Sequence, residues 1–294
     1  MKNKHLILAL LMSVIFGAGW VFAKAALDYF PPILLAAFRF GVAALILIWF
    51  VKPPRGQMRD IMMISVLAIT VPYAMIYTGM KELDVSTTIL LVQLEAPLLI
   101  LLGAMLLREN PGLRKSIATL ISFLGIVLIA GDPDLQGSTT GILWVLGSIL
   151  TWAIGQIKIR KLGDFGGLRS LAWISAFATP QLFLVSTIFE TNQIALVVHA
   201  DWSIWATVIY LGIAMTAGGV GIWYHLIGKY PMAFVSPFLL LVPVTTILGG
   251  VLWLGEELTI MASLGGAIVI AGVGMVIIDR PSQKTMAVLD DNKG

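Results

Sequence analysis

Residues Pro97–Glu109 read PLLILLGAMLLRE, and residues Pro243–Glu257 read PVTTILGGVLWLGEE. Each run opens on a proline, carries a glycine six residues on (Gly103, Gly249) and closes on an acid (Glu109, Glu256). The pairing continues outward. Phe16-Gly17 ahead of Lys24 is matched by Trp152-Ala153 ahead of Arg160, and Gly125 and Asp132 by Gly272 and Asp279. The spacing between partners grows from 136 (Phe16 to Trp152) to 147 (Gly125 to Gly272), as in an internal duplication with small insertions. Apolar runs fall five to each copy, and an odd-numbered unit must insert upside down relative to its twin. The expected architecture is therefore two inverted repeats about an axis in the membrane plane, an arrangement suited to alternating access.

Composition supports the membrane reading. The chain of 294 residues is 59% hydrophobic and 12% charged, with a mean hydropathy of +0.95. A soluble domain could not solvate such a surface. The net charge of +3 does not point to nucleic acid; it reflects loop lysines and arginines. Cysteine is absent and only His5, His199 and His225 are present, so neither a disulfide framework nor a metal site is expected, and no cofactor is. The stretch after Lys2 and Lys4 resembles a secretion signal, but it matches the sixth span, so it is expected to remain as span one.

Apolar runs near 5–25, 31–51, 60–80, 86–107, 114–131, 139–158, 169–189, 203–227, 233–254 and 262–279 predict ten transmembrane helices, an all-α membrane protein. With both termini cytoplasmic, all of the 19 basic residues fall on the inner side except Lys24, Lys81 and the intramembrane Arg39. The halves are expected at 1–135 and 136–280, followed by a disordered cytoplasmic tail over 281–294.

Buried polar groups mark the candidate site. Arg39 and Glu95 lie at similar depth in spans two and four, and an intramembrane ion costs several kcal/mol unless paired or hydrated. Either they contact a zwitterion in a cavity, or they brace helices. Helical spacing groups Tyr73 with Tyr77, Trp152 with Gln156, and Trp173 with Phe177 and Gln181 as possible wall residues. Trp49, Trp202 and Trp205 read better as interfacial anchors. Pro72, Pro97 and Pro243, with Gly218 and Gly219, are candidate hinges, although tight packing alone explains Pro72 and the glycines better than gating does. Glu109, Glu256 and Glu257 sit at span ends, where capping or solvation is expected. The cavity itself is expected between the halves, lined by spans one, three, four and six to nine.

Gly17-Ala18-Gly19-Trp20 with Lys24, the span-two Arg39, and the paired prolines with their acidic span ends resemble the drug/metabolite transporter superfamily, specifically its EamA-type ten-helix members. The first-span tryptophan of that pattern is Phe16 here and reappears as Trp152. Within the family the chain resembles the YddG-type exporters of aromatic amino acids. The resemblance implies ATP-independent export of amino acids, aromatic and other neutral ones included, across a bacterial inner membrane. Small-molecule substrates and the lipid bilayer are then the partners, with no nucleic acid, and a monomer is the working expectation. Export of drugs or another metabolite on the same scaffold is the alternative. An intramembrane enzyme is disfavoured because no Ser/His or paired-aspartate constellation lies at membrane depth.

Overall fold

The computed structural model describes residues 3–54, 56–107, 112–131, 139–161, 167–227, 229–230 and 235–277. Among them every regular element is helical. Eight helices are long and apolar enough to cross a bilayer: α1 (Asn3–Ala26), α2 (Pro32–Phe50), α3 (Met58–Glu82), α4 (Val85–Leu106), α5 (Gly112–Ile129), α6 (Thr139–Ile159, its helix running on to Lys161), α7 (Gly167–Phe189) and α8 (Trp202–Ile227). Two further apolar helices are shorter among the described residues, to which both counts refer: α9 (Phe238–Leu254) and α10 (Ile260–Met275). A short helix, Gln193–His199, lies between α7 and α8. Large apolar side chains such as Leu45, Leu120 and Leu184 remain exposed on the outside of the bundle, where lipid rather than water suits them. Arg108, Glu109, Asp132, Asp279 and the tail from Pro281 lie outside the described residues.

Helices pack across the two halves. The main pairs are α1 with α9, α2 with α7, α3 with α6, and α5 with α10, while α4 also meets α6, and α8 meets both α1 and α2. Between helices in lipid, close backbone approach replaces the hydrophobic effect, and small residues permit it. At the α5–α10 crossing a Cβ on Gly125 would lie 2.7 Å from the Gly265 carbonyl oxygen, and one on Gly265 equally near that of Gly125. Gly79 meets the Gly141 carbonyl in the same way at the α3–α6 crossing.

The regular helix fails at particular residues. Proline has no N–H and crowds the carbonyl four residues back. Pro97 therefore leaves the Gln93 carbonyl without its helical donor, and α4 is interrupted at Gln93–Leu94. Pro243 does the same to Leu239, which sits in a tight 3₁₀ turn, Ser236–Leu240, at the entry to α9. Wide π-type turns occupy Val66–Thr70 in α3, just before Pro72, and Tyr210–Gly219 in α8. All three prolines are buried.

At the end of the bundle where Lys24 lies, charged side chains cap helix termini. Lys24 Nζ donates to the carbonyls of Met80 and Leu83, each at 2.8 Å, at the C-terminus of α3. Glu256 reaches the N-terminus of α4, accepting the Val85 N–H on Oε1 at 2.6 Å and the Ser86 N–H on Oε2 at 3.1 Å. Cation at a C-terminus and anion at an N-terminus each complement the helix dipole. The short turn between α3 and α4 is thus clasped by α1 on one side and by the chain leaving α9 on the other. Asp84, in that turn, makes no side-chain cap of its own. Partial desolvation and the neighbouring Glu256 push its carboxyl above the ordinary aspartate value, against the pull of Lys24. Glu190, after α7, caps α2 similarly through Ile33 and Leu34 N–H at 2.7 and 3.0 Å.

Candidate substrate cavity

A cavity of about 340 Å³ opens among α2, α3, α6, α7 and α8. Its aromatic walls are Phe40, Tyr73, Trp152 and Tyr224, and its polar side chains include Gln156 and Ser170. The volume is in the range of small-molecule sites. Ala68 and Ile69, from the wide turn of α3, and Val220, just past the wide turn of α8, also line it. The cavity is therefore bordered by two of the wide turns, while a third, Gly250–Leu254 in α9, lies away from it. None of its lining residues comes from α1, α4 or α9, and α2 contributes Phe40, so the wall differs from the helix set expected from sequence. A groove of about 370 Å³ between α2 and α7 is almost entirely apolar and borders the exposed Leu45, as a lipid-facing surface would.

Three sequence candidates meet at the cavity: Tyr73, Trp152 and Gln156. Arg39 does not line it. Its guanidinium is buried behind Phe40 and Tyr73, at 5.2 and 5.0 Å from their ring centroids. Nε donates to Thr216 Oγ1 at 2.9 Å and Nη1 to the Tyr77 hydroxyl at 2.8 Å. Thr216 in turn donates to the Leu211 carbonyl, so Arg39 ties α2 to α3 and to the wide turn of α8. Among the described residues it forms no ion pair with Glu95. Cation–π contacts and charge-assisted bonds of this kind compensate a buried guanidinium.

Gln181 lies elsewhere, between α7 and α3. Its Oε1 accepts from Thr70 Oγ1 at 2.6 Å, and its Nε2 donates to Ser65 Oγ at 2.9 Å and to the Met62 carbonyl at 3.1 Å. These bonds flank the wide turn of α3 and occupy both ends of the amide. Trp173, beside Phe177, donates its indole N–H to the Lys52 carbonyl at 3.2 Å, next to Arg169, which reaches the Pro53 carbonyl at 3.0 Å. Both therefore hold the end of α2 rather than the cavity wall. Tyr77 is fully buried and engaged by Arg39. Glu95 begins the second half of α4, directly after its break, within electrostatic reach of Tyr73 and with no hydrogen-bond partner among the described residues. Gly218 and Gly219 end the wide turn of α8, and a Cβ on Gly219 would press on Phe16 at 2.8 Å.

Phe40, Ser170 and Tyr224 are cavity residues that sequence spacing does not single out. The Ser170 hydroxyl is buried with no hydrogen-bond partner among the described residues. No metal-binding group of His, Asp or Glu occurs among the described residues.

Comparison with known proteins places this architecture. A probable amino-acid metabolite efflux pump of Salmonella typhimurium is 27% identical over 98% of this chain and 99% of its own length. Its Escherichia coli counterpart, with the same description, matches equally, and an uncharacterized transporter of Bacillus subtilis is 24% identical over 98% of this chain and 96% of its own. One crystal structure shares the fold, with a TM-score of 0.63 over 94% of this chain and 96% of that one at 16% identity. The EamA-like transporter family model matches twice, over residues 3–131 and 139–278. The chain is thus a multi-pass membrane transporter and belongs to the EamA-like transporter family.

Proposed function

We propose that this chain exports neutral amino acids, aromatic ones included, from the cytoplasm by alternating access between two inverted five-helix halves, 1–135 and 136–280. The observation that carries the reading is the cavity itself: aromatic walls at Phe40, Tyr73, Trp152 and Tyr224 suit an apolar side chain, while Gln156 and Ser170 can engage the polar end. Relatives described as probable amino-acid metabolite efflux pumps support the substrate class. The helix contacts support the symmetry. Exchanging the halves turns the α1–α9 contact into α6–α4 and the α3–α6 contact into α8–α1, and maps α2–α7 and α5–α10 onto themselves. The wide turns of α3 and α8, and the breaks ahead of Pro97 and Pro243, are also repeat partners.

The distribution of basic residues supports both termini lying in the cytoplasm, and the bacterial relatives support the inner membrane as the site of action. The cavity residues Gly167, Ser170 and Tyr224, at the adjoining ends of α7 and α8, then face inward, and the Lys24–Glu256 clasp faces outward. Cysteines at Gly56 and Thr191, both exposed, should label from opposite faces; labelling from one face would refute this topology.

A second reading, export of a drug or another small metabolite, is favoured by one feature: among the described residues no charged side chain lines the cavity. Counterflow of radiolabelled phenylalanine, leucine and alanine in proteoliposomes decides between them. Exchange of any of these without turnover supports the first reading. Movement of uncharged drugs with no amino-acid exchange supports the second.

A further inference from the structure

The inner ends of α3 and α6 enclose a second pocket, of about 300 Å³, that the transport path does not use. Its lining is Asp60, Met63, Ile64 and Leu67 from α3 and Lys158 and Lys161 from α6. The lysines are three residues apart in the last turn of one helix and so share a face. Both are exposed, and among the described residues neither is ion-paired with Asp60. Among the described residues the pocket therefore carries two cations against one anion. Its other side is apolar: Met63 is 59% exposed and Ile64 and Leu67 continue the surface inward.

We propose that this pocket holds the anionic headgroup of a membrane phospholipid, with Lys158 and Lys161 on the phosphate and the acyl chains along Met63 and Leu67. Several features select this occupant. Basic pockets between transmembrane helices at the cytoplasmic interface attract anionic lipid. The side follows from the proposed orientation, but the binding does not depend on it. An acidic peptide would match the lysines but gain nothing from an apolar wall embedded at lipid depth. Long lysine stems lie along such walls while their ammonium groups remain at headgroup level.

The site also touches the moving part of the proposed cycle. Leu67, which lines this pocket, belongs to the same wide turn, Val66–Thr70, whose next residues Ala68 and Ile69 line the substrate cavity. On the α6 side Gly155 packs directly on this turn, where a Cβ would lie 2.7 Å from the Leu67 carbonyl oxygen. A headgroup seated here therefore bears on the α3–α6 crossing at the cavity wall.

Native mass spectrometry of the full chain, titrated with short-chain phosphatidylglycerol or phosphatidylethanolamine, tests this without any transport readout. Wild type should retain phosphatidylglycerol preferentially. Lys158→Gln and Lys161→Gln should each weaken it about fivefold, and the double variant about thirtyfold, from the worth of a basic residue at a membrane surface. Asp60→Asn should tighten binding. Lys158→Arg with Lys161→Arg must keep it, which separates charge loss from misfolding. Equal weakening by Lys229→Gln, a basic residue outside the pocket, would reduce the effect to general surface attraction and overturn the site. Competition by inorganic phosphate alone would make it a free-phosphate site and overturn the lipid assignment.

Discussion

Glu256→Gln tests whether the clasp on the α3–α4 turn is an outer gate. The carboxylate accepts the Val85 and Ser86 N–H groups on separate oxygens, at 2.6 and 3.1 Å. Glutamine keeps one acceptor and turns an NH₂ toward the other donor. A hydrogen bond to a charged group is worth about 1.5–3 kcal/mol, and an anion at a helix N-terminus adds about 0.3–1 kcal/mol. The Oε2 position also accepts the Ser86 hydroxyl at 2.5 Å; with the longer N–H bond lost and that hydroxyl turned to accept from the new amide, the net change is about 2 kcal/mol. If the clasp exists only while the outer side is closed, that shifts the open-to-closed ratio about thirtyfold. Nitroxide labels at Lys81 and Glu257, both exposed, report it by pulsed electron–electron resonance on a chain with no native cysteine. The expected result is a new long-distance population. A lower melting temperature with an unchanged distance distribution would show that the clasp only braces the fold.

Asp84 supplies a pH signature. Burial beside Glu256 raises its carboxyl, so its contribution to stability is present when it is protonated, below its ordinary value, and is lost as pH rises through the raised one. Asp84→Asn should therefore melt higher than wild type at neutral pH, with the gap closing toward pH ~4; a constant gap would refute the assignment. Trp152→Ala should raise the apparent KM about tenfold for phenylalanine, the worth of ~1.4 kcal/mol of aromatic contact, and leave alanine nearly unchanged; equal losses for both would remove Trp152 from selectivity. Arg39→Met should cost about 2 kcal/mol of stability, as charge-assisted bonds are lost while a desolvated cation is relieved, without changing substrate preference. An altered preference at unchanged stability would place Arg39 in the site after all.

The helices were legible because lipid demands long apolar runs with internally bonded backbones, and the mid-span prolines marked breaks because a missing N–H acts locally. The Trp152–Gln156 pair was legible for the same kind of reason: residues four apart on α6 must share a face, whichever neighbour that face meets. What the neighbour is cannot be read from period. Arg39 finds Thr216 far along the chain, and nothing near residue 39 says whether the guanidinium will meet a ligand or another helix. Gln181 shows the same ambiguity, since a mid-span amide is satisfied equally by substrate or by Thr70 and Ser65. Ser170 gave no signal, a serine in a helix being ordinary until its hydroxyl is found buried with no partner among the described residues. Tyr224 was hidden by its place near a span end, where tyrosines commonly anchor at the interface. Glu256 was expected to cap the next helix or be solvated; it does cap a helix, but the one it reaches back to is α4. Gly255, at φ +70°, reverses the chain, and Gly250 leaves room for the carboxylate.

Glu95 remains the residue whose chemistry demands a partner. It begins the second half of α4, immediately past a break that also frees a backbone carbonyl, and no described side chain bonds to it. An ionised group at that depth costs several kcal/mol unless something compensates it, and a scaffold role would supply the compensation within the protein. Arg39, the cation at similar depth, is already committed to Thr216 and Tyr77. Since no described residue supplies the compensation, we propose that it comes from water, a proton or the amino group of a substrate during part of the cycle. The tyrosine within its electrostatic reach, Tyr73, is itself a cavity wall residue, which sets the carboxyl near the proposed substrate path. Glu95→Gln preserves shape and removes the charge. It should leave melting temperature and membrane insertion unchanged while slowing exchange at least tenfold, the effect of losing ~1.4 kcal/mol from one charge-assisted contact. Wild-type exchange of every substrate by Glu95→Gln would exclude the acid from transport, and a large loss of stability would make it a structural residue whose partner lies in another state of the bundle.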